Sequence, residues 1–186
     1  LSHSSAASDV YKRQEDKKGL KKNSLFGTDV KQEQDSIENF CEKIKVGINS
    51  KQTDEFMVIA RIESLILGKG IEDALLRGRS YADSGANGVL IHSKDKSEEL
   101  VFQFVEDFKK DFDVPVIVVP TTYNHITLDE FKKLGVDIVI YANHLLRSAY
   151  PAMLNTAEEI LKFGRTQELE KKLMSVKEVI NFIPTD

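Results

Sequence analysis

The chain has 186 residues, of which 41% are hydrophobic and 30% are charged, and its formal net charge is -4. This composition fits one globular domain and excludes a disordered chain. The acidic balance gives no general attraction to nucleic acid or to an anionic membrane, and neither a membrane-spanning run nor a secretory signal pattern appears. The single cysteine, Cys41, excludes an internal disulfide. We therefore expect a cytoplasmic protein without nucleic-acid or membrane partners.

The first fourteen residues, L-S-H-S-S-A-A-S-D-V-Y-K-R-Q, are mostly small and polar and have neither a helical nor a strand period. They meet Glu15 without a linker. They resemble the translation of a foreign nucleotide sequence, such as a sequencing-library adapter, that has been joined to a truncated reading frame. We therefore expect residues 1–14 to be a non-native or disordered segment, with no strand leading into Glu15, and residues 15–186 to form the folded domain.

A polar segment follows from Glu15 to Phe26 and reads E-D-K-K-G-L-K-K-N-S-L-F. A carboxylate can hold Mg²⁺ directly or through water, a lysine can offset anionic charge, and an amide and a hydroxyl can donate to oxygens as charge moves between them. The residue types alone leave two interpretations open. One is a solvated polar loop, and the other is a loop that serves a phosphate and a metal ion.

The rest of the chain alternates between helical and strand patterns. Apolar spacing predicts a helix through Ile37, Phe40, Cys41 and Ile44, opened by an Asp35-x-x-Glu38 capping box. Cap and stop residues predict further helices after Ser97, from Thr127 to Gly135, over about 145–163 before Gly164, and from Ser175. Apolar runs rich in β-branched residues predict four buried strands: Phe56 to Ile62, Gly88 to His92, Val114 to Val119, and Val136 to Tyr141.

Strands that are apolar throughout and alternate with helices predict a parallel sheet covered on both faces. Polar residues follow each predicted strand, and the carboxyl ends of parallel strands form the functional face of such folds. A doubly wound sheet is the competing architecture, but G-K-G at Gly68 to Gly70 lacks the rest of its phosphate fingerprint. We predict an α/β fold that is the C-terminal half of a (β/α)₈ TIM-type barrel, with about four parallel strands and additional C-terminal helices.

Three side chains have competing interpretations. Arg61 interrupts a strand that is otherwise suited to burial, and a buried guanidinium needs an anion, which Glu63 or a ligand phosphate would supply equally well. His92, on an apolar strand, is by itself more typical of a core histidine than of a site residue. Cys41 lies on the apolar face of its predicted helix, which indicates packing.

The order of the polar residues resembles a known family. Glu15-Asp16-Lys17, Lys21 and Asn23-Ser24 are similar to the E-D-K...K-x-N-S gating segment of phosphoenolpyruvate mutases, in the isocitrate lyase and phosphoenolpyruvate mutase superfamily. The resemblance continues to about Pro184. Its A-R-hydrophobic-E run places Arg61 on the family's phosphonyl-binding arginine, and I-H-S places His92 on its substrate-binding histidine. A shared A-N-H run at Asn143 and His144 implies a supporting role outside the catalytic set.

This resemblance implies an isomerase that interconverts phosphoenolpyruvate and 3-phosphonopyruvate, the carbon–phosphorus bond-forming step of phosphonate biosynthesis, with Mg²⁺ as cofactor. It implies that Glu15 binds Mg²⁺ through water and that Lys21, Asn23 and Ser24 are catalytic residues on a gating loop at about 15–34. Asn23 would donate to the migrating group, and Arg61 and His92 would hold its other oxygens. The family's nucleophilic Asp and metal-ligating acidic residues precede Glu15, so we expect this chain to be inactive alone. The full-length parent is expected to be a homo-oligomer.

Three other functions remain open. Phosphonopyruvate hydrolase would use the same site with water admitted, although in the resemblance K-x-N-S marks mutases and hydrolases tend to replace the Asn. A carbon–carbon lyase of the same superfamily is less favoured, since its K-K-C-G-H motif is missing from this sequence. The non-enzymatic alternative is a barrel fragment that associates with other subunits, using the helix at about 145–163.

Overall fold

The computed structural model describes residues 11–18 and 32–182, and at residues 11–13 it describes the backbone only. The chain divides into two compact units, residues 1–141 and 142–186, and each is described by itself. Lys21, Asn23 and Ser24, the three predicted catalytic residues, lie outside the described residues.

The strands of the first unit are β1 (Tyr11–Glu15), β2 (Lys17–Lys18), β3 (Glu33–Gln34), β4 (Met57–Ile62), β5 (Gly88–Ile91), β6 (Val116–Val118) and β7 (Ile138–Val139). Five of them form a parallel sheet at the centre of the unit, in the order β1-β4-β5-β6-β7. The other two, β2 and β3, form an antiparallel pair. The helices of this unit are α1 (Ile37–Asn49), α2 (Gly70–Asp83), α3 (Glu99–Lys109) and α4 (Leu128–Leu134).

The sheet is buried on both faces, as its apolar strands predict. Alternate strand residues such as Ala60, Val89 and Val118 pack with the helices in the larger core cluster. Ile59, Leu90 and Ile117 point to the opposite face and form a separate cluster with Val119. The predicted parallel α/β architecture is therefore confirmed.

The predicted absence of a strand before Glu15 is wrong. Residues 11–15 form β1, which pairs in parallel with β4 in the register Tyr11↔Met57 to Glu15↔Arg61. Strand pairing is made by backbone groups, so a polar sequence without an apolar period can still occupy the edge of a sheet. This is why the side-chain pattern did not reveal it.

The helix boundaries follow local capping chemistry. The predicted Thr127 and Ser175 caps are both present as capping boxes, and Gly135 and Gly164 end their helices at φ 94° and 62°. The predicted cap of α1 was wrong by one residue. Ser36 is the N-cap and accepts from the Asn39 N–H, while the Asp35 carboxylate accepts from the Asn39 side chain and from Lys43.

The second unit contains α5 (His144–Phe163) and α6 (Val176–Ile180). Asn143 occupies the N-cap position of α5 without a side-chain capping bond. Across residues 11–18 and 32–182, no helix combines the length and apolar character needed to cross a membrane.

Candidate active site

Arg61 is the centre of a buried polar cluster at the carboxyl ends of β1, β4 and β5. Glu15 is the register partner of Arg61 on the neighbouring strand, so both side chains lie on the same face of the sheet. Arg61 Nη1 lies 2.9 Å from Glu15 Oε1, and its Nε donates to Glu63 Oε1 at 2.6 Å. The Arg61 side chain is only 11% exposed. Two carboxylates therefore hold the guanidinium in one orientation.

His92 is the third partner of Arg61. Its Nδ1 lies 3.0 Å from Arg61 Nη2, and the residue is buried just beyond β5. A guanidinium can only donate, so this contact requires Nδ1 to be the acceptor. The hydrogen of the neutral imidazole therefore lies on Nε2, and the arginine selects the tautomer.

Lys17 and Glu63 extend the cluster. Lys17 Nζ lies 2.7 Å from Glu63 Oε2, and the Glu63 side chain is fully buried. Glu63 therefore bridges Lys17 and Arg61. The sequence identified Glu63 as a candidate partner of Arg61, and that pairing is present. It did not single out Lys17, although the lysine of the E-D-K motif was the available signal.

Asp16 lies behind the cluster and is fully buried. Its carboxylate accepts from Tyr81 Oη at 2.8 Å, from Gln34 Nε2 at 2.7 Å and from the Glu63 N–H at 3.0 Å, and it forms an ion pair with Arg77. Burial raises the pKa of Asp16 despite these donors, and burial together with the Asp16 charge raises the pKa of Tyr81. Sequence analysis did not assign a role to Asp16.

A divalent metal ion was predicted at Glu15. Within residues 11–18 and 32–182, no group of three or more His, Cys, Asp or Glu side chains is arranged to hold a metal ion. The Glu15 carboxylate is paired with Arg61. Mg²⁺ prefers octahedral coordination by oxygen, so the described residues by themselves do not form a magnesium site.

The remaining singled-out residues are Asn143, His144 and Cys41. Asn143 and His144 belong to the second unit. Cys41 Sγ contacts the Ser80 carbonyl at 3.5 Å, on the packed side of α1, as a packing role predicts. A cavity of about 740 Å³ runs along α1, with Ile44, Phe56 and Val58 among its lining residues, and none of the Arg61 cluster lines it.

The solved structures that resemble this chain define its class. A crystal structure of phosphoenolpyruvate phosphomutase from Streptomyces platensis subsp. rosaceus superposes with a TM-score of 0.86 at 40% identity, covering 92% of this chain and 58% of that chain. A phosphonopyruvate hydrolase complex with oxalate and Mg²⁺ gives a TM-score of 0.80 at 35% identity, covering 92% and 57%. The chain is thus a barrel-type α/β protein with a polar site at the carboxyl ends of its strands.

The sequence comparisons identify the family. The family model for phosphoenolpyruvate phosphomutase matches residues 14–161. The phosphoenolpyruvate phosphomutase of Tetrahymena pyriformis is 40% identical over 165 residues, which cover 89% of this chain and 54% of that protein. The chain therefore belongs to the phosphoenolpyruvate phosphomutase family.

A hydrolase relative is nearly as similar. The phosphonopyruvate hydrolase of Variovorax sp. (strain Pal2) is 39% identical over 164 residues, which cover 88% of this chain and 56% of that protein. The chain thus spans about half the length of the curated relatives it matches.

Proposed function

We propose that the whole protein is a phosphoenolpyruvate mutase, which breaks the P–O bond of phosphoenolpyruvate and forms a bond between phosphorus and C3 to give 3-phosphonopyruvate. The observation that carries this proposal is the contact between Arg61 and His92 at the ends of adjacent parallel strands. A guanidinium beside an imidazole N–H suits the oxygens of a phosphoryl or phosphonyl group. Both groups are largely buried, where such contacts are strong because water is excluded.

The charges of the described cluster indicate that the phosphoryl group needs an additional cation. Glu15 and Glu63 are paired with Arg61 and Lys17, so these four side chains balance one another. A migrating phosphoryl group carries negative charge on its equatorial oxygens, and this cluster has no net positive charge to balance it. We propose that Lys21 and Mg²⁺ provide the missing positive charge.

The proposed catalytic residues Lys21, Asn23 and Ser24 belong to the segment between β2 and β3. Lys17 pairs with Gln34, and Lys18 pairs with Glu33. The two strands that flank that segment therefore lie beside the Arg61 cluster. Asn23 is proposed to donate to the migrating group, while Arg61 and His92 hold its other oxygens. Positioning and exclusion of water are the main requirements of such a transfer.

Magnesium is proposed as the cofactor because a structural relative was solved with oxalate and Mg²⁺. Glu15 would contact the ion through water, and its direct carboxylate ligands would come from outside the described residues. The ion would stabilise the enolate oxygens of the pyruvyl group when it is bound.

Phosphonopyruvate hydrolase is the second candidate, favoured by the near-equal identity of the hydrolase relative. Both reactions begin at the same phosphonyl group, and they differ in whether water or the enolate receives it. Asn23, within K-x-N-S, supports the mutase.

Phosphorus NMR distinguishes the two reactions. The substrate is 3-phosphonopyruvate with Mg²⁺, and the proteins are the 186-residue chain and a chimera that carries the first part of the Tetrahymena relative in place of residues 1–14. A new phosphoenolpyruvate signal from the chimera supports the mutase. Inorganic phosphate as the first product would favour the hydrolase, and a folded chimera that forms neither product would contradict both. An Asn23→Ala chimera is the matched control for the role of the amide.

A homo-oligomer is the proposed assembly of the whole protein. The second unit exposes large apolar side chains on α5, including Leu145 and Leu161 at 86% and 84% exposure. Exposed apolar surface of this kind is typical of an interaction site. Light scattering of the purified protein distinguishes a defined oligomer from a monomer or an aggregate.

A further inference from the structure

We propose that Asp16 is a positioning residue that holds the Arg61 guanidinium in its orientation, acting through the two carboxylates that bind it. The catalytic meaning of this role rests on the proposed function. The contacts themselves do not, and they can be tested without turnover.

Asp16 bonds to the backbone on both sides of Ile62. Its own N–H donates to the Arg61 carbonyl at 3.1 Å, and its Oδ1 accepts from the Glu63 N–H at 3.0 Å. Asp16 also directly follows Glu15 in the chain. Both carboxylates that hold Arg61 are therefore one covalent or hydrogen-bonding step from Asp16.

The second carboxylate oxygen fixes Asp16 to the rest of the unit. Oδ2 accepts from Gln34 Nε2, from Tyr81 Oη and from Arg77 Nη1 at 2.7, 2.8 and 3.3 Å. Tyr81 and Arg77 belong to α2, and Gln34 ends β3. Asp16 thus connects α2 and the β2-β3 sheet to the backbone that carries Arg61.

This arrangement does more than neutralise a buried charge. Arg77 pairs with the Oδ2 side of the Asp16 carboxylate, whereas Oδ1 is directed at the Glu63 amide. A displacement of Asp16 would move Glu15 and Glu63 together. Since these two carboxylates orient the guanidinium, Arg61 would lose its alignment with His92.

The test variant is Tyr81→Phe, which removes one donor to Asp16 and keeps the ring that packs on Phe40 at 4.7 Å. Tyr123→Phe is the matched control, because Tyr123 is also fully buried and its ring packs against Phe131, away from Asp16. The readouts are hydrogen exchange of the Arg61 Nε–H, followed by nitrogen-15 NMR, and of the Glu63 amide, followed by mass spectrometry. Thermal unfolding reports global stability.

We expect Tyr81→Phe to accelerate both exchange rates by at least about tenfold, as loss of a hydrogen bond to a charged group predicts, and Tyr123→Phe to change them less than about twofold. An unchanged Arg61 rate overturns the proposal. Equal acceleration of all protected amides also overturns it, because a purely structural role predicts that result. Asp16→Asn is the second variant. It keeps one acceptor oxygen but presents an NH₂ group to the donors that contact Oδ2, so it should accelerate exchange of the Arg61 Nε–H more than Tyr81→Phe does.

Discussion

Arg61 Nη2 and His92 Nδ1 are 3.0 Å apart, and the arginine must be the donor. We predict that the neutral imidazole of His92 carries its hydrogen on Nε2 and leaves Nδ1 unprotonated. Nitrogen-15 NMR of the imidazole separates the two ring nitrogens and checks this directly. In an Arg61→Met variant the donor is lost, so a mixture of tautomers is expected. His125, an exposed histidine that contacts Glu98, is the internal control and should not change.

The Arg61→Lys substitution should destabilise the protein although it keeps the charge. A lysine cannot span Glu15, Glu63 and His92 at once, so buried groups would lose a partner. We expect a loss of about 2–4 kcal/mol in the free energy of unfolding, measured with urea. Arg79→Lys is the matched control, since its pair with Asp111 is exposed, and it should change stability by less than about 0.5 kcal/mol. If the two variants lowered the free energy of unfolding equally, the contacts of the Arg61 guanidinium would have no special structural role.

Gly78→Ala and Gly47→Ala should have opposite effects on stability. A Cβ on Gly78 would lie 2.9 Å from Phe104 Cζ, and Phe104 is buried and stacked on Phe108. Overpacking there should outweigh the gain in helix propensity, for a net loss of about 1–2 kcal/mol. On Gly47 the same carbon would meet Val58 Cγ1 at an ordinary 3.5 Å, so a gain of about 0.5–1 kcal/mol is expected. Thermal and urea unfolding measure both, and a stabilising Gly78→Ala would contradict the observed packing.

Asp35 should make stability depend on pH. Burial opposes its ionisation, but hydrogen bonds from Asn39 and Lys43 outweigh burial and lower the pKa of Asp35 below its ordinary value of 3.8. A lowered folded-state pKa stabilises the protein above the unfolded value, and that contribution is lost as pH falls through the folded value.

Urea unfolding of the wild type and Asp35→Asn at several pH values tests this expectation. The variant should be less stable by about 1 kcal/mol at pH 7. The difference should shrink as pH falls through 3.8, because the unfolded chain then binds protons at Asp35 more readily than the folded protein does. Glu42→Gln on the same helix is the control, because its pair with Lys45 is exposed. A difference that stays constant with pH would show that ionisation of Asp35 contributes nothing.

Removal of residues 1–14 tests the place of β1 in the fold. A segment that contributed no structure would leave the free energy of unfolding unchanged. The paired strand predicts a loss of about 2–4 kcal/mol, because backbone hydrogen bonds to β4 disappear. Gln14→Ala is the control, since this side chain is exposed and should matter by less than about 0.5 kcal/mol.

Local chemistry was readable from the sequence. Thr127 with Glu130 and Ser175 with Glu178 are predictable caps, since each pair satisfies helix N–H groups within four residues. The apolar runs that became β4, β5 and β6 were equally clear, because a strand buried on both faces needs apolar residues throughout. Arg61 stood out because it breaks such a run.

Contacts between distant segments were decided only by the tertiary structure. The sequence by itself determined the parallel α/β class and the main elements, since these depend on spacing and residue type, whereas Glu15, Arg61 and His92 became site candidates through the family resemblance. It could not determine that Asp16 meets Tyr81 across 65 positions of chain, or that Lys17 reaches Glu63. Nor did it reveal β1, whose pairing uses backbone groups that every residue carries. Side-chain patterns indicate which residues are buried, whereas the contacts between distant side chains depend on the tertiary structure that brings the strand ends together.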